Sequence, residues 1–404
     1  MTRTRVGLMT ALLLACGQAH GQQYLIQTLP PLPGYPDSFA CGINEAGDIV
    51  GASRSSNIWR PTRWQNSAPI DLGGLPGYSQ VLLIDIAGDG TIAVGEAWNA
   101  AGIVPFVWEN SAITQISSPA GASAGCWQIN DHGVIAGRGW TSTNNIACRW
   151  DKTPTGWVYS ELPRLAGTLG GGAFGINNAG AIAGYCANGS FSTAQATVWT
   201  GGTPAALPGF MGASTIASIN LSGLAVGDLE LTPGGNWHAQ RHDGTAYTHL
   251  GTLVYPNSYA HRVNAAGTII GQSYADGVDP TGFPNNDKLA IIWRGATMTA
   301  VNDVIPAGSG WDVKQLWDIN DSGRIVGYGR FGGLWRACLL VPTCYANCDA
   351  STTPPALNVN DFICFNNRFA AGDTNANCDG STTPPTLNVN DFTCFLNQFA
   401  AGCS

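Results

Sequence analysis

Charge is what this chain has least of. Only 11% of its 404 residues are Asp, Glu, Lys or Arg, and the balance is acidic, with a formal net charge of −8. A basic face able to track a phosphate backbone is therefore missing, which excludes nucleic acid as a partner. Histidine is nearly as scarce. Beyond the N-terminal segment there are His132, His238, His242, His249 and His261, scattered, with no H-E-x-x-H pair among them. No Gly-Lys step exists from which a phosphate-binding loop could be built. Long apolar runs are absent after the start of the chain, so no later segment is a membrane-span candidate.

The start itself reads as a targeting segment. In MTRTRVGLMTALLLACGQAHG (1–21), Arg3 and Arg5 precede an apolar stretch too short to span a bilayer, and small residues lead to Gly21. Cleavage there predicts an exported, extracellular protein; a lipidated Cys16 is the alternative. Export permits disulfides. Removing Cys16 leaves 11 of 12 cysteines, an odd number, so at least one is free or pairs between chains.

Glycine is plentiful, 53 residues, together with 14 tryptophans, a composition of short strands and tight turns. The nine-residue unit INEAGDIVG (43–51) returns as INDHGVIAG, INNAGAIAG, INLSGLAVG, VNAAGTIIG and INDSGRIVG, with a degraded copy IAGDGTIAVG at 86–95. Its Asn falls at 44, 130, 177, 220, 264 and 320, with Ala87 in the second place. Each unit reads as a hairpin in which Asn opens the turn and Gly takes a positive φ. A third strand ending in Trp (TRW, FVW, CRW, TVW, IIW) and a fourth such as IDLGGLPG follow. In the fifth unit QRH replaces the Trp with His242. Four strands per ~44 residues is the size of a propeller blade. The expected architecture is mainly β: a seven-bladed β-propeller over 22–341. The seventh unit lacks its fourth strand, while YLIQTLPPLPG (24–34) is a spare one at the start, so the N-terminal strand is expected to close the ring.

The repeat resembles the extracellular HAF-repeat family of bacteria, most closely in LAGTLGGGAFGINNAGAIAG (165–184). The name-giving His-Ala-Phe triplet is poorly kept; PTRW, PFVW, ACRW, ATVW and HAQRH stand in its place. The resemblance covers 24–341 and implies an architecture but no defined reaction.

Recurrence assigns the Asn and Gly to turn chemistry and the third-strand Trp to packing between blades. Trp98, Trp140 and Tyr274 are different: each lies three residues past the hairpin's last Gly, which places them on one face of a propeller. Aromatic rings among few charges suit sugar binding, so these three are the candidate ligand-binding residues, with burial between loops as the plainer alternative. Catalysis has little support. Asp228, Glu230 and Asp243 are carboxylates that a glycosidase could pair, but nothing in their spacing singles them out.

After 341 the composition shifts. Residues 342–404 hold six cysteines, Cys344, Cys348, Cys364, Cys378, Cys394 and Cys403, in a unit duplicated at 30 residues. Six cysteines allow 15 pairings, which the sequence leaves open. VNDFICFNNRFAAG reads as a helix with Phe362, Phe365 and Phe369 on one side and Gly372 as its stop. The tail resembles the dockerin module, in the cysteine-bearing variety that ends in Gly-Cys. The resemblance implies calcium ligands Asn347, Asp349, Ser351, Asn358 and Asp361, repeated as Asn377, Asp379, Ser381, Asn388 and Asp391, with Leu357 and Leu387 at the apolar position. Two departures weaken it. Position 1 is Asn in both loops, and TTPP lengthens each loop from 12 residues to 15.

The expectation is a non-catalytic, cell-surface-associated binding protein. Its propeller presents a ligand face suited to glycans, and its tail engages a cohesin-like or other surface protein with weakly held calcium. A tethered polysaccharide-degrading enzyme or accessory protein is the first alternative, and a purely structural surface protein the second.

Overall fold

The structure, a computed structural model, describes residues 24–119, 122–189, 191–209, 212–232, 234–277, 284–343, 346–349, 357–373, 376–378, 381 and 384–401. The targeting segment, Ser351, Asp379, Cys344 and Cys403 lie outside the described residues. No described helix is long and apolar enough to cross a membrane.

Residues 24–342 are β-structure almost throughout, in antiparallel sheets. One repeat shows how a unit is built: Ser123–Ile129, Val134–Trp140, Asn145–Thr153 and Gly156–Glu161 pair in chain order as a four-stranded sheet. The repeats that follow do the same. The first two repeats, 37–71 and 80–115, are joined into one eight-stranded sheet by a single parallel pairing, Trp59 with Gln80. The last sheet takes its fourth strand from the chain start: Tyr24–Leu29 runs antiparallel to Leu334–Pro342, as the offset of the repeat predicts.

Each repeat shares an apolar cluster with the next. Val226, Ala239, Ala260 and Ile291 bridge the fifth and sixth, and Ala40, Trp64, Val326 and Leu339 bridge the first and last. The sheets thus close into a ring, a β-propeller.

The repeated Asn does two jobs. Its Oδ1 accepts the N–H four residues on, as Asn177 does from Ala181 at 3.0 Å, which shapes the turn. Its Nδ2 crosses to the neighbouring repeat. Asn130 donates to Asn177 O, Asn177 to Asn220 O, Asn220 to Asn264 O, Asn264 to Asn320 O, and Asn320 to Asn44 O. Asn44 then donates to Ala87 O. The circle has one missing side chain, at Ala87, where the Gly88 N–H donating to Asp131 Oδ1 at 2.8 Å makes the link instead.

The glycine that ends I-x-G is required by close approach. A Cβ at Gly95, Gly184 or Gly271 would lie 1.9–2.0 Å from a carbonyl oxygen of the facing strand. At that height the innermost strand carries a β-bulge in every repeat. A bulge re-aims the extra side chain. Cys41, Ile84, Trp127, Phe174, Ala217, His261 and Trp317 hold that place, each three residues before the repeat's Asn position.

The third-strand aromatics are structural. Trp64, Trp150, Trp199 and Trp293 are buried, and each Nε1 donates to a backbone carbonyl 33 to 43 residues earlier. His242 makes the same bond, its Nε2 lying 2.9 Å from Pro208 O while Nδ1 accepts from the Gly244 N–H. An imidazole thus keeps the indole's hydrogen bond in a smaller volume.

The tail holds α1 (Val359–Ala370) and α2 (Val389–Ala401). Its core is aromatic: Phe365 stacks on Phe395 at 4.2 Å, and Phe369 meets Phe392 edge-on at 4.6 Å. Leu357 and Leu387 pack against the same cluster. Disulfides Cys348–Cys364 and Cys378–Cys394 each tie a loop to its helix. Closing a loop of about 15 residues is worth about 3 kcal/mol.

Candidate functional site

At one mouth of the central channel lies a cavity of about 780 Å³. Its inner wall is made by four of the bulge residues, Trp127, Phe174, Ala217 and His261. Trp237, Tyr259, Tyr274 and Phe191 add aromatic surface. Arg138, Thr215, Asp228, Asn257, Arg262 and Asp276 supply polar groups. Phe39, Trp317, Tyr328 and Trp335 form a neighbouring aromatic cluster between the last and first repeats, against which Trp127 also packs.

Two positions of the repeat feed this site. The bulge residue is one. The other is the residue just after the close-approach glycine: Arg138 follows Gly137 and Asp228 follows Gly227. Glu96 follows Gly95 in the same way, and is buried beside Gly125, whose lack of a side chain leaves it room. Burial pushes the Glu96 carboxyl up to about 7, while the Arg138 charge pulls it down. Arg138 itself lies over the Trp140 ring at 4.7 Å and the Phe174 ring at 5.4 Å.

Burial likewise pushes Asp228 up to about 7, opposed by the Thr215 hydroxyl donating to its Oδ1 at 2.5 Å. Asp276 accepts from Asn257 Nδ2 at 2.8 Å. Beneath the cavity, Arg262 reaches across the channel. Its Nη2 donates to Trp127 O at 3.4 Å, Nη1 to His261 O at 3.1 Å, and Nε lies 3.7 Å from Asp318 Oδ1. Asp318 and Asp85 are both pushed up by burial, Asp85 further by Asp318 itself, and Arg262 pulls each back. These two carboxylates have a structural task as well: each accepts a backbone N–H of the next repeat, at Ile43 and Ile129.

Four buried polar atoms on residues lining the cavity have no hydrogen-bond partner: Trp127 Nε1, Arg138 Nε, His261 Nε2 and Arg262 Nε. Each such group costs about 1–3 kcal/mol when left unmet. All four are closed to solvent and so lie behind the cavity surface, and Arg262 Nε faces Asp318.

The residues singled out by sequence fall as follows. Trp98, Trp140 and Tyr274 end equivalent strands at one rim of the ring. Tyr274 lines the cavity; Trp140 is one contact removed, beneath Arg138; Trp98 packs among Cys41, Leu82 and Ile84. Of the three carboxylates, Asp228 lines the cavity, Glu230 accepts the Gly234 N–H, and Asp243 holds a surface turn by accepting from Thr245 and Ala246. His238 pairs with His249, the rings stacked at 4.7 Å, rather than with His242. Sequence reasoning passed over GASAG (121–125), which has a nucleophile-elbow spacing, yet Ser123 opens a strand and its Oγ accepts from the Ile103 N–H. Sequence reasoning missed Trp127, Arg138, His261 and Arg262. Their signal was positional: one residue past the strand glycine, or two to three before the repeat's Asn.

Among the described residues no group of three or more His, Cys, Asp or Glu gathers to hold a metal. In the first loop of the tail, Asp361 accepts the Asp349 and Asn358 N–H groups while Asn358 Oδ1 caps Asn360. Asn347 lies in the same loop. In the second, Asp391 and Asn388 repeat the cap. Asn377 Nδ2 donates to Ser381 O, while Asn377 Oδ1 is buried with no hydrogen-bond partner. An orphaned oxygen at the first ligand position fits a calcium loop.

No protein-family model and no curated protein matches the sequence. Solved structures similar to the chain include a streptogramin B lyase (TM-score 0.48, 11% identity, 80% of this chain and 98% of the other). The β-propeller domain of the trilobed protease from Pyrococcus furiosus is similar at TM-score 0.47 and 9% identity, over 79% of this chain and 96% of that one. A putative TolB from Agrobacterium tumefaciens reaches TM-score 0.42 and 12% identity, over 64% and 89%. These likenesses are distant, and the propeller stands on the chain's own strand pairing.

Proposed function

We propose that this chain is an exported, non-catalytic binding protein whose propeller takes a saccharide in the channel-mouth cavity. The observation that carries the reading is the cavity: aromatic walls of the kind on which sugar CH groups stack, with Thr215, Asp228, Asn257 and Asp276 as polar groups among them. The ring is a seven-bladed propeller if the eight-stranded sheet is counted as two blades bridged at Trp59–Gln80. The seven repeats, six Asn positions and Ala87 support that count. A glycan array probed with residues 22–404 tests the reading. Binding is expected, and Trp237→Ala, which removes an aromatic wall, is expected to abolish it. An array with no bound glycan contradicts it.

The tail is proposed to act as a dockerin-like attachment module for a cohesin-like or other surface protein. Asn347, Asp349, Ser351, Asn358 and Asp361, with Asn377, Asp379, Ser381, Asn388 and Asp391, would hold calcium, and calcium would supply loop rigidity, not chemistry. The orphaned Asn377 Oδ1 supports this. Calorimetry of the full chain with its disulfides intact should give calcium heat at millimolar concentration; no heat contradicts it.

One observation favours the alternative of a glycan-acting enzyme. Asp228, raised to about 7 in the cavity, is poised as a general acid. Reducing-sugar release from a polysaccharide panel, lost in Asp228→Asn, would establish it in place of the binding reading.

A further inference from the structure

Two of the chain's few histidines meet on the outer hairpin of the fifth repeat, and neither lines the cavity. His238 lies on the strand Trp237–His242 and His249 on Tyr247–Gly251. His249 stands opposite Gln240, two residues from His238, so both rings share one face of the hairpin. The ladder slips register there, between Ala239 and Gln240. His238 Nδ1 and His249 Nε2 lie 2.5 Å apart, with the ring planes 21° from parallel. Nitrogen faces nitrogen.

Both nitrogens can offer lone pairs. The Pro256 backbone carbonyl takes a hydrogen bond from His238. With Nδ1 turned to His249, that hydrogen belongs to Nε2, and Nδ1 keeps its lone pair. His249 frees its Nε2 lone pair by carrying its own hydrogen on Nδ1. Burial lowers the proton affinity of both rings, and His249 lowers that of His238 further, so both are neutral at pH 7. No lysine or arginine charge among the described residues contributes to either shift, which leaves the pair open to a cation. An imidazole held through its far nitrogen by a backbone carbonyl has the support that metal-binding histidines use.

We infer that His238 Nδ1 and His249 Nε2 form a two-histidine site for a divalent transition metal, with water completing the coordination. Imidazole nitrogens do not suit calcium or magnesium, which take oxygen, and they rank copper(II) above nickel(II) and zinc(II). Two nitrogens each about 2.0–2.1 Å from one metal stand about 3 Å apart or more, so the pair must open from its present contact. The soft ring torsions of two side chains at the surface allow that. The site is independent of the saccharide reading of the cavity and of the oxygen ligands of the tail.

The test is titration of untagged residues 22–404 at pH 7 with copper(II), nickel(II) and zinc(II), calcium being present in excess to occupy oxygen sites. Copper(II) is expected to bind about tenfold or more tighter than zinc(II), with an electron paramagnetic resonance spectrum split by two imidazole nitrogens. His249→Ala, at an exposed position, should weaken copper binding about tenfold or more and reduce the splitting to one nitrogen. His238→Ala should do the same. His132→Ala, which removes an exposed histidine elsewhere in the ring, should change neither readout. Copper affinity and splitting that survive in the folded His249→Ala protein overturn the inference, as does an equal loss in His132→Ala. Failure of all three metals to bind overturns it outright.

Discussion

The ring and the tail solve the same problem by different means. In the ring, seven repeats bury enough apolar surface to need no covalent help. Its described cysteines Cys41, Cys126, Cys148, Cys186 and Cys338 are buried free thiols. The tail has two short helices and a core of a few phenylalanines, and each loop is tied to its helix by a disulfide. Small cores need such ties because the fraction of surface buried on folding shrinks as a domain gets smaller. Among the described residues the unpaired thiols are core residues, and burial drives Cys126 and Cys338 away from ionisation.

The comparison can be broken most forcefully by reduction. Cleaving both tail disulfides removes about 3 kcal/mol each. The helical circular-dichroism signal of the tail should be lost while the ring's melting transition stays put. A ring transition that moves as far as the tail's would erase the distinction. Next in size is Asn177→Ala. It leaves the Ala181 N–H without its partner, at about 1–3 kcal/mol, and takes from Asn220 O one of its two donors, the Gly223 N–H remaining. Chemical denaturation of the ring should show the loss.

The ring should also respond to pH. Asp228 and Glu96, ordinarily at 3.8 and 4.5, are raised to about 7 in the fold. Native protein therefore binds more protons than unfolded chain across that window, and stability falls as pH rises through it. The benefit is full below about pH 4 and gone above about 7, at about 1.4 kcal/mol per unit of displacement. Thermal melts at pH 5 and pH 8 should differ in that direction, and Asp228→Asn should flatten the dependence. The smallest effect belongs to Ala87→Asn, which restores the missing member of the Asn circle. It should raise the unfolding free energy by no more than about 1 kcal/mol, because the turn there is one residue longer.

Much of the fold was legible because a repeat states its rule several times. The Asn turn, the Trp that His242 replaces, and the strand lent by the chain start could all be read from spacing. The site was not legible, because it sits where the repeat varies and where the strand breaks its own period. A β-bulge adds one residue and turns it off the two-residue alternation, so Trp127, Phe174 and His261 could not be placed by counting along a strand. The step of three past the strand glycine found Tyr274; the step of one, which holds Glu96, Arg138 and Asp228, was the more informative.

Ala217 offers the most direct test of the central claim, that the channel-mouth cavity is where this protein binds. It is the small member of the bulge set and lines the cavity, while the same place in other repeats carries Trp127 and Trp317. Ala217 is packed against Tyr259 and Tyr274, so Ala217→Trp pushes those two rings into the cavity and fills it. The affinity of residues 22–404 for the best ligand of the array should fall about a hundredfold in a protein that still melts cooperatively, overpacking costing about 1–3 kcal/mol. Unaltered affinity in a folded Ala217→Trp protein would place binding elsewhere and contradict the account.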